Sequence, residues 1–310
     1  MRKVFFISVL IILVSCSSKK EAIFEGQTTY TKGFELYQKG DYKKAKEELK
    51  KAIFKSEGLT TQQILEARFA LADSYYNREE YIDAIAEFEE FIMLYPTSDK
   101  IPEALYKLAM SYMMVSPDYK RDLTYVKKAE EKAQEIIDSY PNSKFVGAAK
   151  EIIKKANEIK AKHTLYIAQT YEDYGKPYSA SVYYSEVYDK YKNYVEADYV
   201  AYKLAYNLMR VDFQYYSEVE NYKKQIKDLE KQISMEKDPE KKNVLINRKK
   251  VLEDHLQVLK DRIEKSRDKA KEIIALFPKA FPNSPYIPKL KDIEKGSKVD
   301  NFLKKINIFE

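Results

Sequence analysis

Cys16 is the only cysteine in this chain of 310 residues, and it stands at the end of a short apolar run. Met1, Arg2 and Lys3 open with positive charge, Val4 to Val14 is almost wholly aliphatic or aromatic, and Leu13-Val14-Ser15 leads into the cysteine. A basic start, a short apolar stretch and a small residue before the cut make a secretory signal over residues 1–15. The stretch is too short to span a bilayer, which takes about 20 apolar residues. Other candidates for chemistry are few. His163 and His255 lie far apart, with no cysteine or histidine near either, and no Cys-x-x-Cys, His-Glu-x-x-His or Gly-x-Ser-x-Gly occurs. His163 is expected to open a helix over His163–Tyr174, and His255 to sit on a charged one. Gly26, Gly33 and Gly40 are seven apart, too far to form a loop around a phosphate. Acidic pairs such as Glu89–Glu90 and Glu130–Glu131 are adjacent on helices and point in different directions. The expectation is a non-enzymatic protein with no catalytic residue, no metal site and no cofactor.

Leu13-Val14-Ser15-Cys16 resembles the bacterial lipobox, whose cysteine is acylated and becomes the first residue of the mature chain. That resemblance implies a diacylglycerol thioether on Cys16, commonly with a third, amide-linked chain. Two or more acyl chains anchor stably where one does not. Residues 16–27 then read as an acylated N-terminus and tether. Ser17 is not the aspartate that commonly retains such proteins in an inner membrane, so the implied address is the outer membrane, facing the periplasm.

The elements that must carry any binding surface are helices. Seven glycines and ten prolines leave little material for the turns of a β-rich fold, and Lys, Glu, Ala, Leu and Ile favour helix. The net charge of +6, two units of which leave with Arg2 and Lys3, is spread among interspersed acids and bases. A nucleic-acid footprint would cluster its cations on one face. With Cys16 blocked by lipid there is no disulfide, and stability must come from helix packing.

Internal repetition sets the architecture. Ala45, Leu49 and Ala52 are matched by Ala84, Phe88, Phe91 and Pro96; by Ala129, Ala133, Ile136 and Pro141; and by Ala270, Ile274, Phe277 and Pro282. A weaker copy, Ala180, Tyr184 and Val187, has Lys192 at the proline position. A preceding helix carries Ala72 and Tyr75, Ala109 and Tyr112, or Ala168 and Tyr171. These are the landmarks of tetratricopeptide repeats. Small residues let two helices approach, bulky ones fill the groove between hairpins, and proline ends the second helix because it cannot donate its backbone hydrogen bond. The fold class is all-α: a tetratricopeptide superhelix of about five hairpins (28–54, 64–95, 102–140, 161–191 and 197–281), with the solenoid proper over 28–208.

The fifth unit is interrupted. Tyr222, Ile226, Leu229 and Ile233, then Leu245, Leu252, Leu256, Leu259 and Ile263, follow a seven-residue rhythm broken by Asp238-Pro239. Residues 209–269, whose faces are heavily charged, read as an antiparallel coiled-coil hairpin insertion, the alternative being an extended second-helix pair that merely lengthens the repeat. Residues 270–310 supply the last repeat helix, a capping helix and a tail.

A tetratricopeptide solenoid behind a lipobox resembles the BamD family of lipoproteins of the outer-membrane β-barrel assembly machine. Tyr95-Pro96-Thr97-Ser98, Tyr140-Pro141-Asn142-Ser143 and Phe281-Pro282-Asn283-Ser284 are similar to the family's Tyr-Pro-x-Ser punctuation, and Arg121-Asp122-Leu123-Thr124 to a segment of its third repeat. The likeness covers about residues 16–208. The long hairpin and Lys192 depart from the family pattern, so only Cys16 carries over residue by residue. The resemblance implies a scaffold that binds a BamA-like outer-membrane barrel protein and the aromatic C-terminal segments of unfolded outer-membrane proteins, with no nucleic-acid partner. The alternative keeps the fold: an envelope lipoprotein organising peptidoglycan synthesis or constriction.

Groove positions of the first three repeats give the candidate contacts. They are Tyr30, Phe34 and Tyr37; Phe69 and Tyr76; and Tyr106, Met110, Met113 and Met114. The fourth repeat places Lys162, Leu165, Gln169, Glu172 and Asp173 at the same positions, a mostly polar face. Each aromatic residue can pack between helices or bind a ligand, while the cluster as a whole points to binding.

Overall fold

The computed structural model describes residues 24–294; Cys16, the signal 1–15, most of the tether and the tail beyond 294 lie outside the described residues. No strand occurs among the described residues. The helices are α1 (24–38), α2 (Tyr42–Phe54), α3 (Thr61–Asn77), α4 (Tyr81–Leu94), α5 (Ile101–Val115), α6 (Thr124–Ser139), α7 (Val146–Asp173), α8 (Pro177–Tyr191), α9 (Ala197–Leu208), α10 (Val211–Met235), α11 (Pro239–Ala280) and α12 (Ile287–Glu294). They pack as successive hairpins of tetratricopeptide type. The chain forms two compact units, Met1–Ile159 and Lys160–Glu310.

The repeat pattern is a burial pattern. The triads Ala45-Leu49-Ala52, Ala84-Phe88-Phe91, Ala129-Ala133-Ile136 and Ala180-Tyr184-Val187 are fully buried, and Ala270-Ile274-Phe277 nearly so. Spacings of four and three put each triad on one helical face.

Two turns recur, each with a local cause. Between the helices of a hairpin, Gly40, Glu79 and Gly175 have φ of 78°, 62° and 65°. In each case the next residue's amide reaches back five positions: Asp41 to Leu36, Glu80 to Tyr75 and Lys176 to Tyr171, at 2.9–3.0 Å. This is a Schellman closure, in which a left-handed residue lets the chain satisfy the last carbonyls of the helix. Between hairpins, the aromatic-Pro-x-Ser segments form one turn three times. Tyr95, Tyr140 and Phe281 sit at φ −130°, −133° and −135°, pushed out of the helical region by the proline that follows. Ser98, Ser143 and Ser284 donate their amides back to those aromatics' carbonyls at 3.0, 2.9 and 3.1 Å. Their hydroxyls accept from Lys100, Phe145 and Tyr286 at 3.2 Å.

In the first unit, α1 and α3 lie parallel in a constant register. Gln27 pairs with Gln63, Tyr30 with Glu66 and Tyr37 with Asp73, each thirty-six positions on. The core runs from Tyr30 to Ile152, so the first turns of α7 pack here.

In the second unit, α7 and α8 pack through Ala168, Ala180, Tyr184 and Val187 against Val200 and Leu204 of α9. The expected hairpin beginning at 161 is not where this helix starts. α7 begins at Val146 and passes through 161 unbroken, so His163 lies within the helix and does not open it. Gly147 is its only glycine and it contains no proline, so nothing in its interior stops it. Asp212–Arg267, Tyr215–Arg262, Tyr222–His255 and Glu230–Lys249 pair α10 with α11. Their residue numbers rise on one helix as they fall on the other, which fixes an antiparallel register. Asp238 caps α11 by accepting from the amides of Glu240 and Lys241, and Pro239 occupies its first position. α11 crosses position 269 without a break: the second helix of the 209–269 segment and the last repeat helix are one helix of 42 residues, about 63 Å long.

Candidate functional site

Within the first unit, α1, α3 and the start of α5 enclose a pocket of about 240 Å³ lined by Phe34, Tyr37, Glu66, Phe69, Ala70 and Lys100. Three of the nine candidate aromatic and methionine residues therefore meet in one cavity. Phe34 is half-buried, stacked on Tyr30 at 5.7 Å and tilted on Tyr37 at 5.9 Å. Phe69 is 4% exposed, held edge-on by Phe88 and Phe91 at 6.1 and 5.4 Å. The Lys100 ammonium lies 4.7 Å from the Phe69 ring centroid.

The tyrosines are tied down. Tyr30 donates to Glu66 and Tyr37 to Asp73, both at 2.7 Å. Burial first, then these carboxylate partners, push both phenols far above their ordinary pKa, so they remain neutral donors. Glu66 is held below the usual carboxylate range by hydrogen bonds from Gln62 and Tyr30. Asp73, nearly buried, also receives the Lys107 ammonium, which bonds Glu103 at 2.8 Å as well. Burial alone would lower the Lys107 pKa, but the hydrogen bonds to Asp73 and Glu103 outweigh it and raise it. Tyr37, Asp73 and Lys107 thus form a polar strut from α1 through α3 to α5.

The remaining candidates sit outside this pocket. Tyr30 is buried behind Phe34. Tyr76 is half-buried, edge-on to Tyr81, with Lys107 5.8 Å from its ring. Tyr106 stacks on Phe145 at 5.2 Å, and Met110 and Met113 pack partly buried on the core. Met114 is exposed. Lys100 was not among the sequence candidates. It stands at the N-cap of α5, held by the Ser98 turn, and a lysine there carries no distinguishing sequence signal.

Among the groove positions of the fourth repeat, Glu172 is polar for a structural reason. Glu172 accepts from Tyr184 at 2.8 Å, from Asn207 at 3.0 Å and from Lys203. Among the described residues, no group of three or more His, Cys, Asp or Glu could hold a metal ion, and no helix is long and apolar enough to cross a membrane.

Comparison with known proteins places this arrangement. The model of the family described as "YfiO: Outer membrane lipoprotein" matches residues 25–224. A putative outer membrane protein assembly factor BamD of Aquifex aeolicus (strain VF5) is 34% identical over 241 residues, covering 77% of this chain and 79% of that protein. The outer membrane protein assembly factor BamD of Rickettsia prowazekii (strain Madrid E) is 27% identical over 202 residues, covering 64% and 80%. That of Caulobacter vibrioides is 26% identical over 107 residues, covering 34% and 35%. A matched segment holding the first four hairpins and their proline-serine turns, with a relative 34% identical across most of both chains, shows that this chain belongs to the YfiO/BamD family of outer membrane lipoproteins.

Proposed function

We propose that this chain is a non-enzymatic scaffold of outer-membrane protein assembly. It is anchored by lipid on Cys16 in the outer membrane, faces the periplasm, and binds a BamA-like barrel protein and the C-terminal segments of unfolded outer-membrane proteins. The assembly role rests on the BamD relatives. The observation that supports substrate binding is the pocket of the first unit. Phe34, Tyr37 and Phe69 offer ring surface, and the Lys100 cation stands at the rim. An aromatic side chain fits such walls, and a carboxylate beside it meets a charge-assisted donor. A chain ending in an aromatic residue presents both groups within one residue. In this reading Asp73 is paired with Lys107, whereas Glu66 stays ionised in the pocket wall, so Lys100 must attract the incoming carboxylate against that charge.

The test compares two peptides ending in phenylalanine, one with a free carboxylate and one amidated, against the full chain and its Lys100→Ala variant. The free acid is expected to bind about tenfold more tightly to the parent, a difference of about 1.4 kcal/mol, and to lose that advantage in the variant. Equal binding of both peptides to both proteins would overturn the reading of the pocket.

A further inference from the structure

One corner of the first unit exposes two aromatic rings. Of the phenylalanines among the described residues, only Phe24, at the start of α1, and Phe54, at the end of α2, are exposed, at 74% and 89%. Three contacts hold these helix ends together. The Gly26 backbone lies so close to the turn after α2 that a β-carbon there would stand 2.5 Å from the Glu57 carbonyl oxygen. Gln27 donates to the Gly58 carbonyl at 2.6 Å, and Lys55 pairs with Glu25. Both rings therefore project from a packed corner and not from a loose loop.

The next hairpin continues the edge. Phe54 stands nine positions after Ala45, the first residue of its buried triad, and Met93 stands nine after Ala84. An equal offset from equivalent buried residues gives the two side chains the same place on successive hairpins. Met93 is 71% exposed, and Leu94 beside it is exposed too. In the third hairpin that place belongs to Asp138, also exposed, so the apolar edge ends there.

The tether selects what covers this edge, an argument that rests on the acylation of Cys16. Phe24 follows Cys16 by eight residues. Eight residues reach at most about 28 Å in any conformation. The bilayer that takes the acyl chains is thus held within that distance of Phe24, at a high effective concentration. Charge favours no other partner. Within residues 17–27, and again within 47–57, lysines and glutamates are equal in number, while Glu89 and Glu90 before Met93 are held by Tyr112 and Arg68. What remains is a row of separate apolar side chains, far short of the roughly 1,000 Å² that a stable protein interface buries. A bilayer interface receives such side chains without a matched pocket.

We propose that Phe24, Phe54 and Met93 form a membrane-contact edge. Their side chains enter the phospholipid interface beside the acylated cysteine and fix which face the first unit turns to the bilayer. Three side chains do not hold a protein on a membrane by themselves; the acyl chains supply attachment and the edge sets orientation.

The chain contains no tryptophan, so a single introduced one reports its own surroundings. The full acylated chain carrying Phe54→Trp is reconstituted on phosphatidylcholine vesicles. Lys39→Trp, at an exposed position just past the far end of α1 and about 22 Å from Phe24, is the comparison. Emission from Phe54→Trp is expected to move to shorter wavelength and to fall at least about twofold when the lipid acyl chains are brominated, and that from Lys39→Trp to do neither. Phe24→Trp is expected to respond as Phe54→Trp does, and to lose both responses when Phe54→Asp and Met93→Asp are added. All these positions are exposed, and circular dichroism checks that each variant keeps its helices. Mass spectrometry of the same preparation reads the acyl chains on Cys16. An acylated chain whose Phe54→Trp emission is quenched no more than that of Lys39→Trp overturns the proposal and leaves the anchor standing. Absence of acyl chains overturns the anchor and the proposal with it. A shorter wavelength without quenching, together with a dimer in sedimentation, overturns the proposal in favour of a second copy of this chain.

Discussion

The Tyr37 hydroxyl donates a 2.7 Å hydrogen bond to the Asp73 carboxylate, joining the first helices of two neighbouring repeats. Asp73 is nearly buried and also receives Lys107 of the third repeat. The first unit is therefore pinned through a carboxylate inside the groove face, beside the pocket where Tyr37 presents its ring. Asp73→Ala is expected to destabilise the full chain by about 3 kcal/mol in urea denaturation, because it leaves the largely buried Lys107 with Glu103 alone and Tyr37 without an acceptor. A loss under about 1 kcal/mol would show the strut to be incidental.

Glu172 plays the matching part in the second unit, and its pH dependence has a definite sign. Burial would raise its pKa, but hydrogen bonds from Lys203, Asn207 and Tyr184 outweigh that and lower it. A carboxyl depressed in the folded state stabilises above its unfolded pKa, and that contribution is lost as pH falls through the folded value. Thermal melts followed from pH 7 down to pH 3 should show a smaller decline in Glu172→Gln than in the parent. Parallel declines would refute the assignment.

Glu79 occupies a left-handed backbone position that Gly40 and Gly175 fill in the equivalent turns. A side chain there costs about 1–2 kcal/mol. Glu79→Gly is expected to stabilise the chain by about 1 kcal/mol, and Gly40→Ala to destabilise it by a similar amount, both read from denaturation midpoints.

Ala84 and Ala129 are fully buried where the two helices of a hairpin meet. Enlarging either to leucine overpacks the contact and should cost about 1–3 kcal/mol. Phe88→Ala, at the next position of the same triad, should cost about 3–5 kcal/mol by leaving a cavity. Leucine variants as stable as the parent would mean the hairpins have room to spare.

For the anchor, Cys16→Ser should abolish metabolic labelling with palmitate and move the protein from the membrane to the soluble fraction. Retention of the label would place the lipid elsewhere.

Much of the fold was legible because each rule involved is local. The four-and-three spacing from Ala45 to Phe277 names the buried face of five helices, since a helix repeats its direction about every 3.6 residues. Tyr95-Pro96 and its two counterparts name the helix ends, because proline restricts the residue before it. Where no local signal exists the reading went astray. The repeat pattern placed the start of a helix at 161, yet residues 148–173 contain nothing that stops a helix, and α7 had already begun at Val146.

The sequence alone determined the helical class, the repeat triads and the proline turns. Each of these depends on spacing within one helix or one turn. Only the tertiary structure decided which candidates share a cavity. Phe34, Tyr37 and Phe69 meet beside Lys100, whereas Tyr106 and Met113 pack elsewhere, because the register between α1 and α3 is set by packing between helices thirty-six residues apart. The same holds for Phe24 and Phe54. Both are visible in the chain, but their exposure at one corner follows from Gly26 letting α1 lie against the turn after α2.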